Sequence, residues 1–332
     1  MITFVGGKTG MGWQIYILND DGSNIRTLTE NIQQKTAMFF TPIGSKDGKY
    51  VVFTLKDDIH SSNRRICTVP VDDDKVRYLT PPEGAVYALR WLPSGFIVYN
   101  EQVIRPYESD GYICTMNSDG EEKRRIFHYS MYRKLTFTKD SYQNISISMD
   151  GTKIAMTSWR DDQIYVVRAG MPPLQITQEK LKIKNIAWSP DDSMIAFSAV
   201  RSPSPKFENL FVANNDGTKI KPVCRVIAET DFAFSSDNQY IAIVNQGKRE
   251  YIIEIINMKN SEKRKISNIK INPESGNKPN CPIWSNDNRY IIYTTFMEPY
   301  MHLYRFNVET NQHELLVGDD GGLRDISYIS SF

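Results

Sequence analysis

The chain has 332 residues, of which 40% are hydrophobic and 24% are charged, proportions that are typical of a soluble globular protein. Its 40 lysines and arginines nearly balance its 39 aspartates and glutamates, and the formal net charge of +1 gives no global field that would draw the protein to nucleic acid. No window approaches the roughly 20 apolar residues of a membrane-spanning helix. We therefore expect neither a nucleic-acid partner nor a membrane span.

The N-terminus leaves the compartment open. Residues 1–7 lack the basic and apolar regions of a signal peptide. We expect a cytoplasmic protein if the chain is complete as given, and a periplasmic or extracellular protein if a leader was removed.

A short pattern recurs along the chain: an apolar strand, a tight polar turn and a second apolar strand. The clearest copy covers 185–198, where Pro190 presets φ for the turn and the Asp191 carboxylate can accept hydrogen bonds from nearby backbone N–H groups. The other turns lie at 45–48, 92–95, 148–151, 235–238 and 285–288. Their intervals of about 41 to 56 residues match the period of propeller blades.

A third apolar strand follows each such pair at a regular distance, and it is rich in β-branched or aromatic residues. The seven third strands are predicted at Ile15–Leu18, Ile66–Val69, Ile113–Met116, Ile164–Val167, Leu210–Ala213, Ile252–Ile255 and Leu303–Phe306. A more polar fourth strand comes next, as at Arg77–Thr80. Each repeat is therefore predicted to be a four-stranded antiparallel meander.

The two ends of the chain complete one repeat. Ile2–Val5 matches a second strand with no first strand before it, and Leu323–Ile329 matches a first strand with no second strand after it. Joining them closes the ring of blades and protects the strand edges. We predict an all-β, seven-bladed β-propeller in a single domain, 1–332, with six blades as the alternative if one weak repeat is misread. The predicted blades are 323–329 with 2–29, 36–80, 85–127, 143–177, 183–224, 230–267 and 278–316.

The repeat resembles a known family. Trp188–Asp192, followed by Ile195–Ser198, Leu210–Val212 and Asn215–Gly217, is similar to the WD40-like (PD40) β-propeller repeat of the TolB family. That family includes the translocation protein TolB, with six blades, propellers of prolyl-oligopeptidase-type and tricorn peptidases, and oligogalacturonate lyases. From this resemblance the fold carries over, a TolB-like propeller, and we expect the protein to be bacterial and soluble.

Two repeats depart from the family pattern. Gly44 stands where the second repeat would have tryptophan, and the turn at 92–95 lacks the aspartate.

The connections between strands differ in length. Turns from first to second and from third to fourth strands are short, whereas the other connections are longer, at 56–63, 101–110, 128–142, 201–207 and 268–279. We call the end of the blades that carries these longer connections the loop-rich face, and we expect it to bind the ligand.

We expect the loop-rich face to gather aromatic rings, which form flat apolar platforms, and arginines, which can bind a carboxylate with two hydrogen bonds. The candidate ligand-binding residues are Arg105, Tyr107, Tyr129, Tyr132, Arg133, Trp159, Arg160, Arg201 and Tyr300. We expect that replacing Tyr132 and Arg133 by alanine weakens binding without unfolding the protein.

Catalytic and metal-binding patterns are weak. The sequence has no G-x-S-x-G elbow and no H-E-x-x-H motif, and we expect no catalytic residue and no cofactor. The lyases that the repeat resembles hold a metal with clustered histidines and a glutamine. His60, His128 and His302 are the weak metal candidates here, although no His-x-His spacing is present. The cysteines Cys67, Cys114, Cys224 and Cys281 are interpreted as small buried hydrophobes.

We therefore predict a non-catalytic, TolB-like propeller, a monomer, that binds a protein, a peptide or an oligosaccharide on its loop-rich face. The alternative is a carbohydrate-active enzyme of the oligogalacturonate-lyase type with a metal in the central channel, which metal analysis of the purified protein would distinguish. An assembly scaffold without a small ligand also stays open.

Overall fold

A computed structural model gives the fold of this protein. It describes residues 1–8, 12–32, 36–58, 60–104, 109–128, 145–158, 161–178, 181–201, 208–226, 231–246, 250–270, 282–297, 300–318 and 323–331.

The described residues form 28 β-strands. The first fourteen are β1 (Ile2–Lys8), β2 (Gly12–Leu18), β3 (Arg26–Thr27), β4 (Met38–Gly44), β5 (Tyr50–Lys56), β6 (Arg65–Pro70), β7 (Arg77–Tyr78), β8 (Ala85–Trp91), β9 (Ile97–Ile104), β10 (Ser109–Met116), β11 (Arg124–His128), β12 (Ile145–Ile147), β13 (Lys153–Thr157) and β14 (Ile164–Arg168). The remaining fourteen are β15 (Leu174–Gln175), β16 (Leu181–Trp188), β17 (Met194–Arg201), β18 (Glu208–Asn214), β19 (Lys221–Val226), β20 (Phe232–Phe234), β21 (Tyr240–Gln246), β22 (Glu250–Asn257), β23 (Lys263–Lys270), β24 (Ile283–Trp284), β25 (Tyr290–Met297), β26 (Tyr300–Asn307), β27 (His313–Val317) and β28 (Leu323–Ser331).

These strands form seven four-stranded antiparallel sheets, the blades of a seven-bladed β-propeller. Blade 1 has the order β28-β1-β2-β3, and blades 2 to 7 each take four consecutive strands from β4 to β27. The prediction of seven blades rather than six is therefore confirmed. In blade 1, Ile2 pairs antiparallel with Leu18 of β2 and with Ser331 of β28, which confirms that strands from both termini complete this blade.

The chain divides into two compact units. The first comprises Met1–His128, Ile292–Asn307 and Gln312–Phe332, and the second comprises Tyr129–Ile291 and Val308–Asn311.

The hydrophobic core of each unit consists of layers between neighbouring blades. In the first unit, successive residues of β5 face opposite layers. Phe53 belongs to the cluster shared by blades 1 and 2, and Val52 belongs to the cluster shared by blades 2 and 3. In the second unit, Phe197 and Ala196 divide in the same way between the two layers on either side of blade 5. Because both faces of a blade are covered, the central strands are apolar throughout rather than alternating with polar residues.

The repeated turn is held by its serine and its aspartate. Ser45 donates its backbone N–H to the Tyr50 carbonyl at 2.8 Å and its hydroxyl to Asp47 at 2.6 Å, and the Lys49 N–H donates to the same carboxylate at 3.2 Å. These hydrogen bonds from Ser45 and Lys49 lower the pKa of Asp47. The same serine–aspartate bond joins Ser148 to Asp150, Ser189 to Asp191, Ser235 to Asp237 and Ser285 to Asp287.

A buried threonine after the fourth strand completes the hydrogen bonding of the third strand. In blade 2 the Ile66 N–H donates to the Thr80 hydroxyl at 2.9 Å, beside the bond from the Leu79 N–H to the Ile66 carbonyl at 2.8 Å. The equivalent bonds run from Ile15 to Thr29 and from Ile164 to Thr177. The threonine hydroxyl thus takes the place of a strand carbonyl as acceptor, which gives a physical reason for the Leu-Thr or Ile-Thr pair that ends each of these three repeats.

Replacing Thr80 by valine, which has nearly the same shape, should lower the free energy of unfolding by about 1 to 2 kcal/mol because the buried Ile66 N–H loses its acceptor. Urea unfolding of Thr80→Val and of the control Thr80→Ser, which keeps the hydroxyl, measures this difference. Equal stability of the two variants would contradict the assigned role.

Several predicted connections are shorter than expected. The strand β9 continues to Ile104 and β10 begins at Ser109, so Glu101 pairs with Tyr112 instead of lying in a loop. Arg201 likewise belongs to β17, and 268–270 belong to β23. The prediction was wrong at these ends because it stopped each strand at its last apolar residue. Backbone pairing does not depend on side-chain polarity and continues beyond that point.

Candidate functional site

Most of the predicted ligand-binding residues lie outside the described residues. These are Arg105, Tyr107, Tyr129, Tyr132, Arg133, Trp159 and Arg160. Of the other two, Arg201 is the last residue of β17, and Tyr300 is the first residue of β26, where its side chain is part-buried. The grouping of these nine residues into one site therefore stays a prediction.

The three histidines that were the weak metal candidates have different surroundings. His60 is exposed, His128 stacks on Tyr112 with ring centroids 4.3 Å apart, and His302 is buried within β26. Within the described ranges, no group of three or more histidines, cysteines or carboxylates is placed to hold a metal ion.

Three of the cysteines can be located, and Cys281 lies outside the described residues. Cys67, Cys114 and Cys224 are buried free thiols. Burial raises the pKa of all three, to about 12 for Cys114 and about 11 for Cys224. A thiol that stays protonated at neutral pH is a poor nucleophile, which agrees with their interpretation as small buried hydrophobes.

A cluster of one arginine and two aromatic rings lies on the loop-rich face of blades 2 and 3. Arg64 follows the connection between β5 and β6, and its N–H donates to the Gly84 carbonyl at 2.6 Å. Its guanidinium carbon lies 4.3 Å from the ring centroid of Tyr87 and 5.7 Å from that of Phe40. Such contacts orient the planar guanidinium and add a cation–π attraction.

The charge of Arg64 is not neutralised by an acidic side chain among the described residues, and its buried Nε has no hydrogen-bond partner there. Its neighbour differs, because Arg65 forms an ion pair with Asp57. Arg125, elsewhere on blade 3, pairs with Glu101 at 3.0 Å. Arg64 thus combines an oriented guanidinium with a donor, Nε, that has no acceptor among the described residues, and a planar guanidinium of this kind can bind a carboxylate.

Arg64, Tyr87 and Phe40 were missed by the sequence analysis. Arg64 lies one residue beyond the connection predicted at 56–63, and the two rings lie in first strands, β4 and β8, that were treated as structural. No sequence pattern indicates that Arg64 and Phe40 of blade 2 lie beside Tyr87 of blade 3. The general expectation of arginine and aromatic side chains on the loop-rich face nevertheless describes this cluster.

In the described part of the chain, no helix has the length and apolar character needed to cross a membrane. No protein-family model matches the chain, and no curated protein matches it.

Solved structures, in contrast, match almost the whole chain. TolB from Acinetobacter baumannii is 12% identical with a TM-score of 0.56, over 99% of this chain and 65% of that chain. An oligogalacturonate lyase in complex with manganese is 13% identical with a TM-score of 0.62, over 94% and 83%. A prolyl endopeptidase is 13% identical with a TM-score of 0.67, over 98% and 47%.

The chain thus spans slightly less than two thirds of the TolB chain and about half of the endopeptidase chain. At such low identity a likeness establishes the fold and not the function. The resemblance to TolB-like β-propellers, inferred from the repeats, is thereby confirmed at the level of the fold.

Proposed function

We propose that this protein is a non-catalytic, TolB-like propeller that binds a carboxylate-bearing protein segment, peptide or glycan on its loop-rich face. The observation that carries the proposal is the Arg64 guanidinium, which lies against Tyr87 and Phe40 and has no acidic partner among the described residues.

The energetics of Arg64 favour an external acceptor. The Arg64 Nε is buried without an acceptor among the described residues, which costs free energy, and a small movement of the side chain toward a ligand carboxylate would remove that cost. The two rings limit the motion of the guanidinium before the ligand arrives, so less entropy is lost on binding. A carboxylate fits best because it accepts two parallel hydrogen bonds from the guanidinium.

Replacing Arg64 by glutamine should weaken the binding of an acidic ligand by about 30-fold, because a charged hydrogen-bonded pair of this kind contributes about 2 kcal/mol. Isothermal titration with triglutamate and with trigalacturonate measures the effect and separates a peptide ligand from a glycan ligand. Arg64→Lys keeps the charge but not the planar fork, and it should also bind weakly.

Arg124→Gln is the matched control for this experiment. Arg124 lies at the other end of blade 3, with an exposed side chain 3.9 Å from Glu122, and its loss should leave the affinity unchanged. Equal affinity of Arg64→Gln and the unmodified protein, with both variants folded, would refute the proposal.

The alternative of a metal-dependent carbohydrate-active enzyme stays a prediction. The similarity to an oligogalacturonate lyase in complex with manganese is a similarity of fold. The metal content of the purified protein tests this alternative function.

A further inference from the structure

Neighbouring blades of the second unit are joined by a hydrogen-bonded latch between their turns. Asp192, in the turn of blade 5, accepts hydrogen bonds from the backbone N–H of Met149 at 2.5 Å and of Asp150 at 2.9 Å, both in the turn of blade 4. Asp192 has a positive φ of 59°, which aspartate and asparagine tolerate better than most residues. Trp188 adds a bond from its indole N–H to the Ser146 carbonyl at 3.0 Å.

The same latch joins blades 6 and 7. Asn288 occupies the position of Asp192, has a φ of 59°, and accepts a hydrogen bond from the Ser236 N–H at 2.7 Å. Trp284 donates its indole N–H to the Ala233 carbonyl at 3.1 Å, and its ring stacks on Tyr240. In both latches a side-chain oxygen accepts from the backbone of the preceding turn, from two N–H groups at Asp192 and from one at Asn288.

One interface of the second unit shows what happens without the donor. Asn238 of blade 6 is in the latch position, but the residue of blade 5 that corresponds to Met149 and Ser236 is Pro190, which has no N–H. The side-chain oxygen of Asn238 is accordingly buried without a hydrogen-bond partner among the described residues. The latch therefore depends on a matched acceptor and donor.

Between blades 2 and 3, in the first unit, the donors are present and the acceptor is missing. The latch position is Gly95, with a φ of 84°, and a Cβ added there would meet nothing within 4 Å. No hydrogen bond joins the N–H groups of Lys46 and Asp47, which correspond to those of Met149 and Asp150, to the described residues of blade 3. A cleft of about 360 Å³ lies at this point, and Tyr50 stacks on Trp91 within its lining.

We propose that this cleft binds the aspartate side chain of a turn in a second polypeptide, whose carboxylate takes the place that Asp192 takes between blades 4 and 5. Backbone N–H groups in a turn form a binding site for an anion, and the exposed Lys46 ammonium adds attraction. The site is independent of Arg64, because the cleft lies at the start of β5 and Arg64 lies beyond its end.

The Asp47 carboxylate does not prevent such binding. It is held by Ser45 and the Lys49 N–H, with the Lys49 ammonium at 4.0 Å. Asp150 is held in the same way by Ser148 and Thr152, and the Asp192 carboxylate nevertheless binds the N–H groups beside it.

The probe is the peptide acetyl-Ser-Pro-Asp-Asp-Ser-amide, a copy of residues 189–193, titrated calorimetrically into the full chain. We expect Gly95→Asp to fill the site with its own carboxylate and to weaken peptide binding by at least about tenfold. The matched control is Gly170→Asp, because Gly170 also has a positive φ, 73°, and open space around its Cβ; this variant should bind the peptide normally. The same peptide with asparagine in place of its second aspartate should bind more weakly.

A second readout needs no ligand. Both variants place an aspartate at a positive φ, but only Gly95→Asp gains the latch, so it should have the higher melting temperature of the two.

Peptide binding that is equally strong in Gly95→Asp and Gly170→Asp would overturn the proposal, and so would the absence of any binding at millimolar peptide. Succinate that binds as tightly as the peptide would overturn the assignment to a polypeptide ligand. Arg64→Gln should leave this peptide's affinity unchanged. Loss of binding in that variant alone would place the peptide at Arg64 and refute only the site at Gly95.

Discussion

Replacing Phe53 by alanine should lower the free energy of unfolding by about 4 kcal/mol. Phe53 is fully buried in β5, within the layer between blades 1 and 2, and its ring centroid lies 5.9 Å from that of Phe39. The substitution removes the transfer free energy of the ring and leaves a cavity that the paired strands cannot close. Urea unfolding should show a lower midpoint with an unchanged slope.

Phe53→Leu is the control for the cavity. It keeps most of the side-chain volume, and it should cost less than about 1.5 kcal/mol. If the alanine variant were no less stable than the leucine variant, the layer between blades 1 and 2 would not be packed as described.

Replacing Asp192 by alanine should destabilise the protein by about 3 kcal/mol. The carboxylate is buried and accepts from the N–H groups of Met149 and Asp150. Hydrogen bonds to a charged acceptor contribute about 1.5 to 3 kcal/mol each, part of which water recovers by solvating the freed N–H groups. Thermal and urea unfolding measure the loss.

Asp192→Asn distinguishes the latch from simple packing. Asparagine keeps one side-chain oxygen, which is sufficient for the bond that Asn288 accepts from Ser236. We therefore expect Asp192→Asn to lose about half of the free energy of unfolding that Asp192→Ala loses. A loss below about 0.5 kcal/mol for Asp192→Ala, the size of an ordinary surface change, would contradict a stabilising latch and weaken the reasoning that leads to Gly95.

The fold could be predicted from the sequence because each blade repeats the same local chemistry. The turn at Ser189 and Asp191, the apolar third strands and the Leu-Thr or Ile-Thr endings are local features, and each depends on residues close in sequence or one strand away. The unpaired strands at the two termini then indicated that blade 1 is completed by both ends.

The candidate site could not be predicted in the same way, because it depends on contacts between blades. Arg64 is a candidate because its guanidinium lies against the rings of Tyr87 and Phe40. In the sequence, these two residues only appear as parts of ordinary strands. The latch position was visible in the sequence as the last residue of each of the six repeated turns. The residue that donates to the latch position lies about one repeat earlier, 43 residues earlier for Met149 and Asp192. Only the structure shows which turns of neighbouring blades lie side by side and so which residues pair.

The central claim is that an acidic ligand binds at Arg64, on the loop-rich face of blades 2 and 3. Hydrogen–deuterium exchange of the full chain, with and without saturating triglutamate, tests it directly. We predict slower exchange of the backbone amides in 60–66 and 84–88 and unchanged exchange in the turn at 45–48. Slower exchange confined to other segments, with 60–66 and 84–88 unaffected, would contradict the claim.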